Sequence, residues 1–292
     1  MTPVFLVSLK AYGDFVIACH AVREVVCRED NSDCGLRLLA GQHLQELAVA
    51  LRVNSFVQFL PSGREFPAGF DVRKAGRYRG ICSVLSLTRL VHKLPRNSVL
   101  LFDSVGIRER LIGAAHKCVS LDDARNIYLA YALTLRQIGF RISAEAAGRS
   151  VVGRVGKVRI FPYARIRSKD IPPEVILRLV QQVIAAGFEC EVITLTGEGE
   201  GLSSSLPVRK VARTFASLIN EISSSSFVVT ADSLPGHLAQ FLGIVSYVIV
   251  QKPNNYWLPI SCYLDNSWST FSDTSAFPLW LKNRAHVSTN DQ

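Results

Sequence analysis

Short apolar runs recur along the first half of the chain, and each is followed by a stretch with helical spacing. The predicted strands lie at 4–9, 36–40, 56–60, 98–103 and 117–121, and the predicted helices lie at 15–26, 42–52, 81–94, 106–115 and 124–139. The strand runs are largely continuous rather than alternating, which is typical of parallel sheets covered by helices on both faces. The pattern therefore predicts an α/β chain with a doubly wound parallel sheet.

The pattern stops at a segment rich in glycine and small residues, 143–156, and then starts again. Further strands are predicted at 157–162, 190–195, 227–231 and 244–250, with helices at 172–186, 214–222 and 235–242, and the pattern fades beyond 251. We therefore expect two domains, 1–150 and 151–292, since about 150 residues suffice for one such unit. Ligands of these folds bind at the carboxyl ends of the strands, so a cleft between the two domains is the expected site.

Composition excludes several classes of protein. Although 48% of the residues are hydrophobic, apolar runs such as 244–250 are far shorter than the roughly 20 residues of a membrane span. The N-terminus has no basic leader before its apolar run, and the seven cysteines are scattered without a C-x-x-C pair. We therefore expect a cytoplasmic protein without disulfides or structural zinc. No D-x-D, H-E-x-x-H or G-x-S-x-G motif supports metal-assisted or serine-hydrolase chemistry.

Positive charge is concentrated in the first half. Residues 1–150 carry 20 Lys and Arg against 13 Asp and Glu. A loop at 61–80 holds a cluster of basic residues, namely Arg73, Lys74, Arg77 and Arg79. Such a surface is either simply solvated or attracts an anionic partner. Nucleic acid is not the partner we expect, because no nucleic-acid module or basic stripe with interleaved aromatics is present.

The first polar turn, Lys10 to Asp14, directly follows the first strand. Gly13 allows a tight turn there. Asp14 can serve as the N-cap of the next helix, or as a general base at the mouth of a cleft. Position alone leaves both roles open.

The second polar turn is the loop 163–174, YARIRSKDIPPE, which holds Arg165, Arg167 and Lys169 between a strand and a helix. Cations beside a helix N-terminus suit a phosphate or diphosphate. The alternative is a solvated basic loop.

The third turn lies in VVTADSLPGHLAQFL, which reads as strand, polar turn and helix. Asp232 and Ser233 are predicted to cap the helix, Pro235 to lie in its first turn, and His237 to lie one turn inside it. His237 is either a structural histidine or part of a ligand site. The GEGEG stretch at 197–201 lacks phosphate-loop spacing, and its glutamates would repel an anion, so it reads as a flexible loop.

In order and spacing, the three turns resemble the heptosyltransferases and their relatives in glycosyltransferase family 9. The matching segments are FLVSLKAYGDFVIACHAVREV, FPYARIRSKDIPPE and DSLPGHLA, within a resemblance that spans roughly residues 4–250. The resemblance implies a GT-B-like fold, in which two Rossmann-like doubly wound domains face a central cleft. It also implies inverting, metal-independent transfer of a heptose-like sugar from a nucleotide-diphosphate donor, such as ADP-heptose, to a hydroxyl of an anionic acceptor.

The resemblance further assigns roles to individual residues. Asp14 matches the catalytic base, Lys169 the lysine that contacts the donor phosphates, and Asp232 and His237 the acid and histidine of the donor-site signature. Ser233 and Gly236 would lie along the backbone that receives the diphosphate, with Arg165 and Arg167 adding positive charge. The residues expected on the acceptor side are Lys10, Gly13, Arg73, Lys74 and Arg77. No cofactor beyond the donor is implied, and the acceptor, such as lipopolysaccharide core, implies peripheral contact with the cytoplasmic face of the inner membrane.

This chain also departs from the family pattern. Leu234 stands where the signature has glycine, and Gly236 follows two positions later. Because glycine at a helix entrance allows a phosphate to approach closely, Leu234 would narrow that approach. A non-catalytic binder of nucleotide sugars or phosphates on the same scaffold is therefore the alternative hypothesis. A pyruvyl transferase with another donor is a third.

Overall fold

The computed structural model describes residues 2–9, 11–26, 35–60, 77–142, 157–199, 202 and 204–287. The chain divides into two compact units. The first comprises Met1–Ala124 and Leu129–Ala144, and the second comprises Arg125–Tyr128 and Glu145–Gln292. The predicted linker 143–156, which contains the predicted boundary at residue 150, lies outside the described residues.

The described part of the first unit forms a five-stranded, all-parallel sheet in the order β3-β2-β1-β4-β5. Its strands are β1 (Val4–Ser8), β2 (Leu36–Gly41), β3 (Val57–Leu60), β4 (Val99–Phe102) and β5 (Lys117–Ser120). The helices are α1 (Tyr12–Val26), α2 (Gln45–Ala50), α3 (Arg77–Val91), α4 (Ile107–Ile112) and α5 (Ile127–Gln137), the last of which begins in the second unit. All five residues of β1 are buried, as expected for a central strand covered on both faces.

The described part of the second unit forms a six-stranded parallel sheet in the order β11-β10-β9-β6-β7-β8. Its strands are β6 (Lys157–Phe161), β7 (Glu189–Leu195), β8 (Val208–Val211), β9 (Phe227–Ala231), β10 (Ser246–Val250) and β11 (Trp268–Thr270). The helices are α6 (Pro173–Ala185), α7 (Phe215–Ser223), α8 (Leu234–Leu242), α9 (Ile260–Leu264) and α10 (Ala276–Val287). Two doubly wound parallel sheets confirm the predicted fold class.

The structure corrects the sequence interpretation at several elements. Helix α3 begins at Arg77, inside the segment predicted to be a loop, whose residues 61–76 lie outside the described part. The helix predicted at 124–139 is shorter, since α5 starts at Ile127 and ends at Gln137. Beyond residue 251, where no pattern was recognised, α9, β11 and α10 complete the second unit, and Phe277 and Leu281 of α10 are fully buried in its core.

Candidate functional site

In each unit, two strands that are distant in sequence lie side by side at the centre of the sheet. These are β1 and β4 in the first unit, and β6 and β9 in the second. At such pairs the strand order reverses, so the loops that follow them diverge and leave a crevice at the carboxyl ends. All three polar turns singled out in the sequence follow one of these strands.

In the second unit, Lys169 and Asp232 form an ion pair at this place. Lys169 lies in a single turn of 3-10 helix, Arg167–Lys169, after β6, and Asp232 directly follows β9. The Lys169 Nζ donates to Asp232 Oδ2 at 2.6 Å. The Asp232 side chain is mostly buried, whereas that of Lys169 is 36% exposed. The pair therefore fixes the direction of an ammonium group that solvent, and a ligand, can still reach.

The loop that carries Lys169 is held by its own hydrogen bonds. The Ala164 N–H donates to Asp170 Oδ1 at 2.7 Å, and the Ile171 N–H donates to the Pro162 carbonyl at 2.8 Å. Arg165 and Arg167 project from this closed loop and are exposed. Of the three predicted cations, Lys169 is therefore paired with Asp232, and Arg165 and Arg167 are exposed on the same loop.

The start of helix α8 differs from the capping prediction. Ser233 occupies the N-cap position, but its side chain caps no helical N–H. Its hydroxyl instead contacts the carbonyls of Ala231 at 3.3 Å and Tyr163 at 3.4 Å. Asp232 does not cap the helix either, since its carboxylate is engaged by Lys169. Both polar side chains of the turn therefore tie the ends of β6 and β9 together.

His237 lies one turn inside α8, as predicted, and is buried. Its Nδ1 is 3.0 Å from the hydroxyl oxygen of Tyr128, a hydrogen-bond contact within the second unit. Burial is the main cause that lowers the pKa of His237 to about 4. The charge of Lys169 lowers this pKa further, whereas the charge of Asp232 raises it. At neutral pH the imidazole is therefore uncharged, and His237 is not one of the cations at this site.

Sequence reasoning did not single out Tyr128. It belongs to the four-residue segment Arg125–Tyr128. This segment is part of the second unit, although the rest of that unit begins only at Glu145. Burial raises the pKa of Tyr128 well above its ordinary value, so the hydroxyl keeps its proton. Nothing local in the sequence marks this residue, because its partner lies 109 positions away.

Gly236 has a packing reason to be glycine. A Cβ built at this position would lie 3.0 Å from Thr230 Oγ1 of β9 and 3.5 Å from Pro259 Cγ. The side-chain direction of residue 236 therefore points into the unit, and the absence of a side chain lets α8 approach β9 closely. Leu234, by contrast, is the first residue of α8 and is partly exposed.

In the first unit, Asp14 lies in the first turn of α1. It is not the N-cap, because the Phe15 N–H already donates to the Ala11 carbonyl at 3.0 Å and the helix begins at Tyr12. A carboxylate in the first turn still interacts favourably with the helix dipole. Gly13 lies in the same turn, so both residues stand just beyond the carboxyl end of β1.

Asp14 lines a small recess of about 20 Å³ between the ends of β1 and β4. This volume is roughly that needed for one water molecule. The recess is also lined by Ser8, Asp103 and Glu109. The Ser8 hydroxyl is buried and has no hydrogen-bond partner among the described residues.

The two further carboxylates of the recess have different partners. Asp103 accepts a hydrogen bond from the Tyr131 hydroxyl at 3.2 Å. Glu109 accepts from Arg108 and, at 3.1 Å, from the Gly106 N–H. Burial raises the pKa of Glu109, but these hydrogen bonds outweigh that effect and leave the pKa below its ordinary value. Asp103 was not singled out in the sequence, because it was included in the strand predicted at 98–103, whereas β4 ends at Phe102.

Most of the predicted acceptor-side cations cannot be placed. Lys10, Arg73 and Lys74 lie outside the described residues, and of Arg77, the first residue of α3, only the backbone is described. In the described part of the chain, no group of three or more His, Cys, Asp or Glu side chains is arranged to hold a metal ion. No helix there is both long and apolar enough to cross a bilayer.

No family model and no curated protein sequence matches the chain. Solved structures do. The chain is similar to Escherichia coli heptosyltransferase WaaC with ADP, with a TM-score of 0.61 and 11% identity over 97% of this chain and 100% of that one. It is similar to a family 9 glycosyl transferase from Veillonella parvula, with a TM-score of 0.60 and 12% identity over 100% and 98%. It is also similar to E. coli ADP-heptose lps heptosyltransferase II, with a TM-score of 0.56 and 12% identity over 100% of both chains.

These likenesses establish the fold, which is GT-B-like. The structural neighbours come from the same family that the three sequence turns resemble.

Proposed function

We propose that the protein transfers a sugar from a nucleotide-diphosphate donor to a hydroxyl group of an acceptor. The observation that carries this proposal is the Lys169–Asp232 pair at the carboxyl ends of β6 and β9, beside the start of α8. The likeness to a heptosyltransferase with ADP supports it, and favours a heptose-like sugar and an adenine nucleotide.

The donor's diphosphate is assigned to the second unit. Asp232 takes one of the three N–H groups of the Lys169 ammonium, and the other two are the donors that we assign to phosphate oxygens. The exposed guanidinium groups of Arg165 and Arg167 add positive charge to the same loop. The positive end of the α8 dipole lies beside this loop and stabilises negative charge in the same way.

Asp14 is assigned the role of general base. It takes the proton from the acceptor hydroxyl as the hydroxyl oxygen attacks the anomeric carbon of the donor sugar. The bond from that carbon to the phosphate oxygen breaks, and the nucleoside diphosphate leaves with the electron pair. Attack opposite the leaving group inverts the anomeric centre. The cations of the second unit stabilise the charge that develops on the leaving group, so the reaction as proposed needs no metal ion.

The recess around Asp14 restricts what the acceptor presents. Asp103 and Glu109 lie beside the proposed base, and a carboxylate or phosphate placed there would meet like charges. The reacting group is therefore an uncharged hydroxyl. Anionic groups of an acceptor such as a lipopolysaccharide core would contact the basic residues elsewhere in the first half of the chain.

Replacement of Asp14 by Asn tests the proposed base. We expect Asp14→Asn to lower kcat by roughly 10²- to 10⁴-fold, because general-base catalysis contributes about that much. Donor affinity, measured by calorimetry, should stay unchanged, while release of nucleoside diphosphate and mass analysis of the acceptor report transfer. Glu24→Gln removes a carboxylate from the same helix away from the recess and is the matched control. If Asp14→Asn still transfers sugar, Asp14 is not the base, and its interaction with the helix dipole is its remaining role.

The donor site is tested by Lys169→Met, which keeps most of the length of the side chain and removes its charge. We expect donor affinity to fall at least about tenfold, since a charged hydrogen bond to phosphate is lost and Asp232 is left unpaired. Arg178→Met in α6 removes a cation outside this loop and should not change affinity.

Leu234 at the start of α8 favours one alternative, a protein that binds the nucleotide sugar without transferring it. The same assays separate the two functions. A donor that binds, yet releases no nucleoside diphosphate with any acceptor of a hydroxyl-bearing panel, supports the binding protein.

A further inference from the structure

The outward side of helices α3 and α4 in the first unit exposes large apolar side chains. Each of them is more than half exposed, and Ile107 is 82% exposed. The set consists of Tyr78, Ile81, Leu85, Ile107 and Leu111, and is called the α3–α4 face below. Single exposed apolar residues are common, but a group on two adjacent helices marks an interaction surface.

Helical spacing places the α3 members of this face on one side. Tyr78, Ile81 and Leu85 are three and four residues apart, and Arg89 follows four residues later on the same side. The opposite side of α3 carries Leu87 and Val91, which are fully buried in the core of the first unit. Core packing therefore explains the inner side of α3 and leaves the apolar outer side without a structural purpose.

Helix α4 extends the same surface. The Thr88 hydroxyl of α3 donates to the Leu111 carbonyl of α4 at 3.4 Å, so the two helices are in contact. Ile107 and Leu111 are four residues apart and lie on one side of α4.

The surroundings of the face are cationic. Residues 77–100 contain no Asp or Glu, and their basic residues are Arg77, Arg79, Arg89, Lys93 and Arg96. Arg89, Lys93, Arg96 and, in α4, Arg110 are exposed. The next acids after this segment are Asp103, half-buried at the recess, and Glu109, buried against Arg108. The described part of this surface thus combines exposed cations with exposed apolar side chains.

We propose that the α3–α4 face docks on the surface of an anionic lipid bilayer. The apolar side chains enter the boundary between headgroups and acyl chains, while the surrounding Lys and Arg side chains contact lipid phosphates. A second copy of the chain would bring like charges together at this face, and nucleic acid would leave the Ile and Leu side chains without an apolar partner. The resemblance implies peripheral contact with a membrane, and this inference assigns that contact to the α3–α4 face; it does not depend on sugar transfer.

Vesicle flotation with the full chain tests the proposal. We expect the protein to float with phosphatidylcholine vesicles that contain about 30 mol % phosphatidylglycerol, and to float less when the salt concentration rises well above the physiological value. Vesicles of phosphatidylcholine alone should bind it weakly. The flotation assay contains no nucleotide sugar. Loss of membrane binding and loss of sugar transfer are therefore measured independently.

The double variant Ile81→Ser, Leu85→Ser should bind anionic vesicles about tenfold more weakly, since two apolar side chains no longer enter the bilayer. The double variant Ile184→Ser, Leu279→Ser removes two equally exposed apolar side chains from the second unit and should bind like the unaltered chain. Circular dichroism and melting temperature verify that each variant is folded.

Three results overturn the proposal. The first is no flotation of the unaltered chain with anionic vesicles. The second is equal flotation of both double variants. The third is a dimer, detected by analytical ultracentrifugation without lipid, that dissociates in Ile81→Ser, Leu85→Ser, which would make a second copy the occupant of the α3–α4 face.

Discussion

His237 can be recognised in the sequence from its motif, but its burial and its protonation state cannot. His237 stands where the resemblance places it, but it is buried, uncharged at neutral pH and in contact with the hydroxyl of Tyr128. The proposed binding of phosphate by charge therefore rests on Lys169 and the two arginines of its loop. The sequence reveals the position of His237 and not its protonation state, because that state depends on burial.

The lowered pKa of His237 predicts a pH dependence of stability. Its folded pKa of about 4 lies below the ordinary value of 6.5, so the unfolded chain binds the additional proton in this interval. The stabilisation that neutral His237 contributes to the folded state is therefore fully present above pH 6.5, and it is lost as the pH falls toward 4. Between pH 7 and pH 5 the loss is about 2 kcal/mol of unfolding free energy.

Urea unfolding at pH 7 and pH 5 measures this effect. The variant His237→Gln should lose about 2 kcal/mol less than the unaltered chain over this interval. Equal pH dependence in His237→Gln and the unaltered chain would show that the imidazole is not held neutral.

At the scale of elements, the candidate donor site is a product of strand order. Lys169 and Asp232 are 63 residues apart, and they meet because β6 and β9 are neighbours in the sheet. Helix α8 then packs on β9 at the one position without a side chain, Gly236, against Thr230.

This close approach predicts a coupling between Gly236 and Thr230. Gly236→Ala should destabilise the chain by about 1–3 kcal/mol, because the new Cβ would meet Thr230 Oγ1 at 3.0 Å. Thr230→Ala removes that atom, so Gly236→Ala should cost less in the Thr230→Ala background than alone. Chemical unfolding of the two single variants and the double variant measures the coupling, and strictly additive effects would contradict the packing explanation.

The sequence predicted elements best where a single physical signal determined them. Continuous apolar runs such as 227–231 gave strands with the correct bounds, and the helix predicted at 172–186 is α6, Pro173–Ala185. The interpretation failed at the C-terminal segment, because β11 has only three residues and the apolar run 276–281, which places Phe277 and Leu281 in the core, is short and contains Pro278. Contacts over long separations, such as that of Tyr128 with His237, leave no local pattern in the sequence.

At the scale of the whole molecule, the chain passes between its two compact units more than once. Residues Arg125–Tyr128 belong to the second unit, although the chain before and after them belongs to the first. Asn126 anchors this short segment: its Nδ2 donates to the carbonyls of Asn255 at 3.1 Å and Leu258 at 2.9 Å, and its Oδ1 accepts from the Tyr128 N–H at 3.0 Å. A division of the chain at one point, as the sequence suggested, therefore omits a segment that completes the second unit.

Asn126 thus carries the last prediction. The side chain is fully buried, so Asn126→Ala removes three hydrogen bonds and leaves the buried Leu258 carbonyl, the buried Tyr128 N–H and the part-buried Asn255 carbonyl without this partner. We expect the unfolding free energy to fall by about 2–4 kcal/mol, because each unsatisfied buried group costs about 1–3 kcal/mol and the site relaxes in part. Thermal unfolding measures the loss, and Arg125→Ala, which alters the exposed neighbouring residue, is the control. A loss of stability no greater than that of Arg125→Ala would contradict the role of Asn126 as the anchor of this segment.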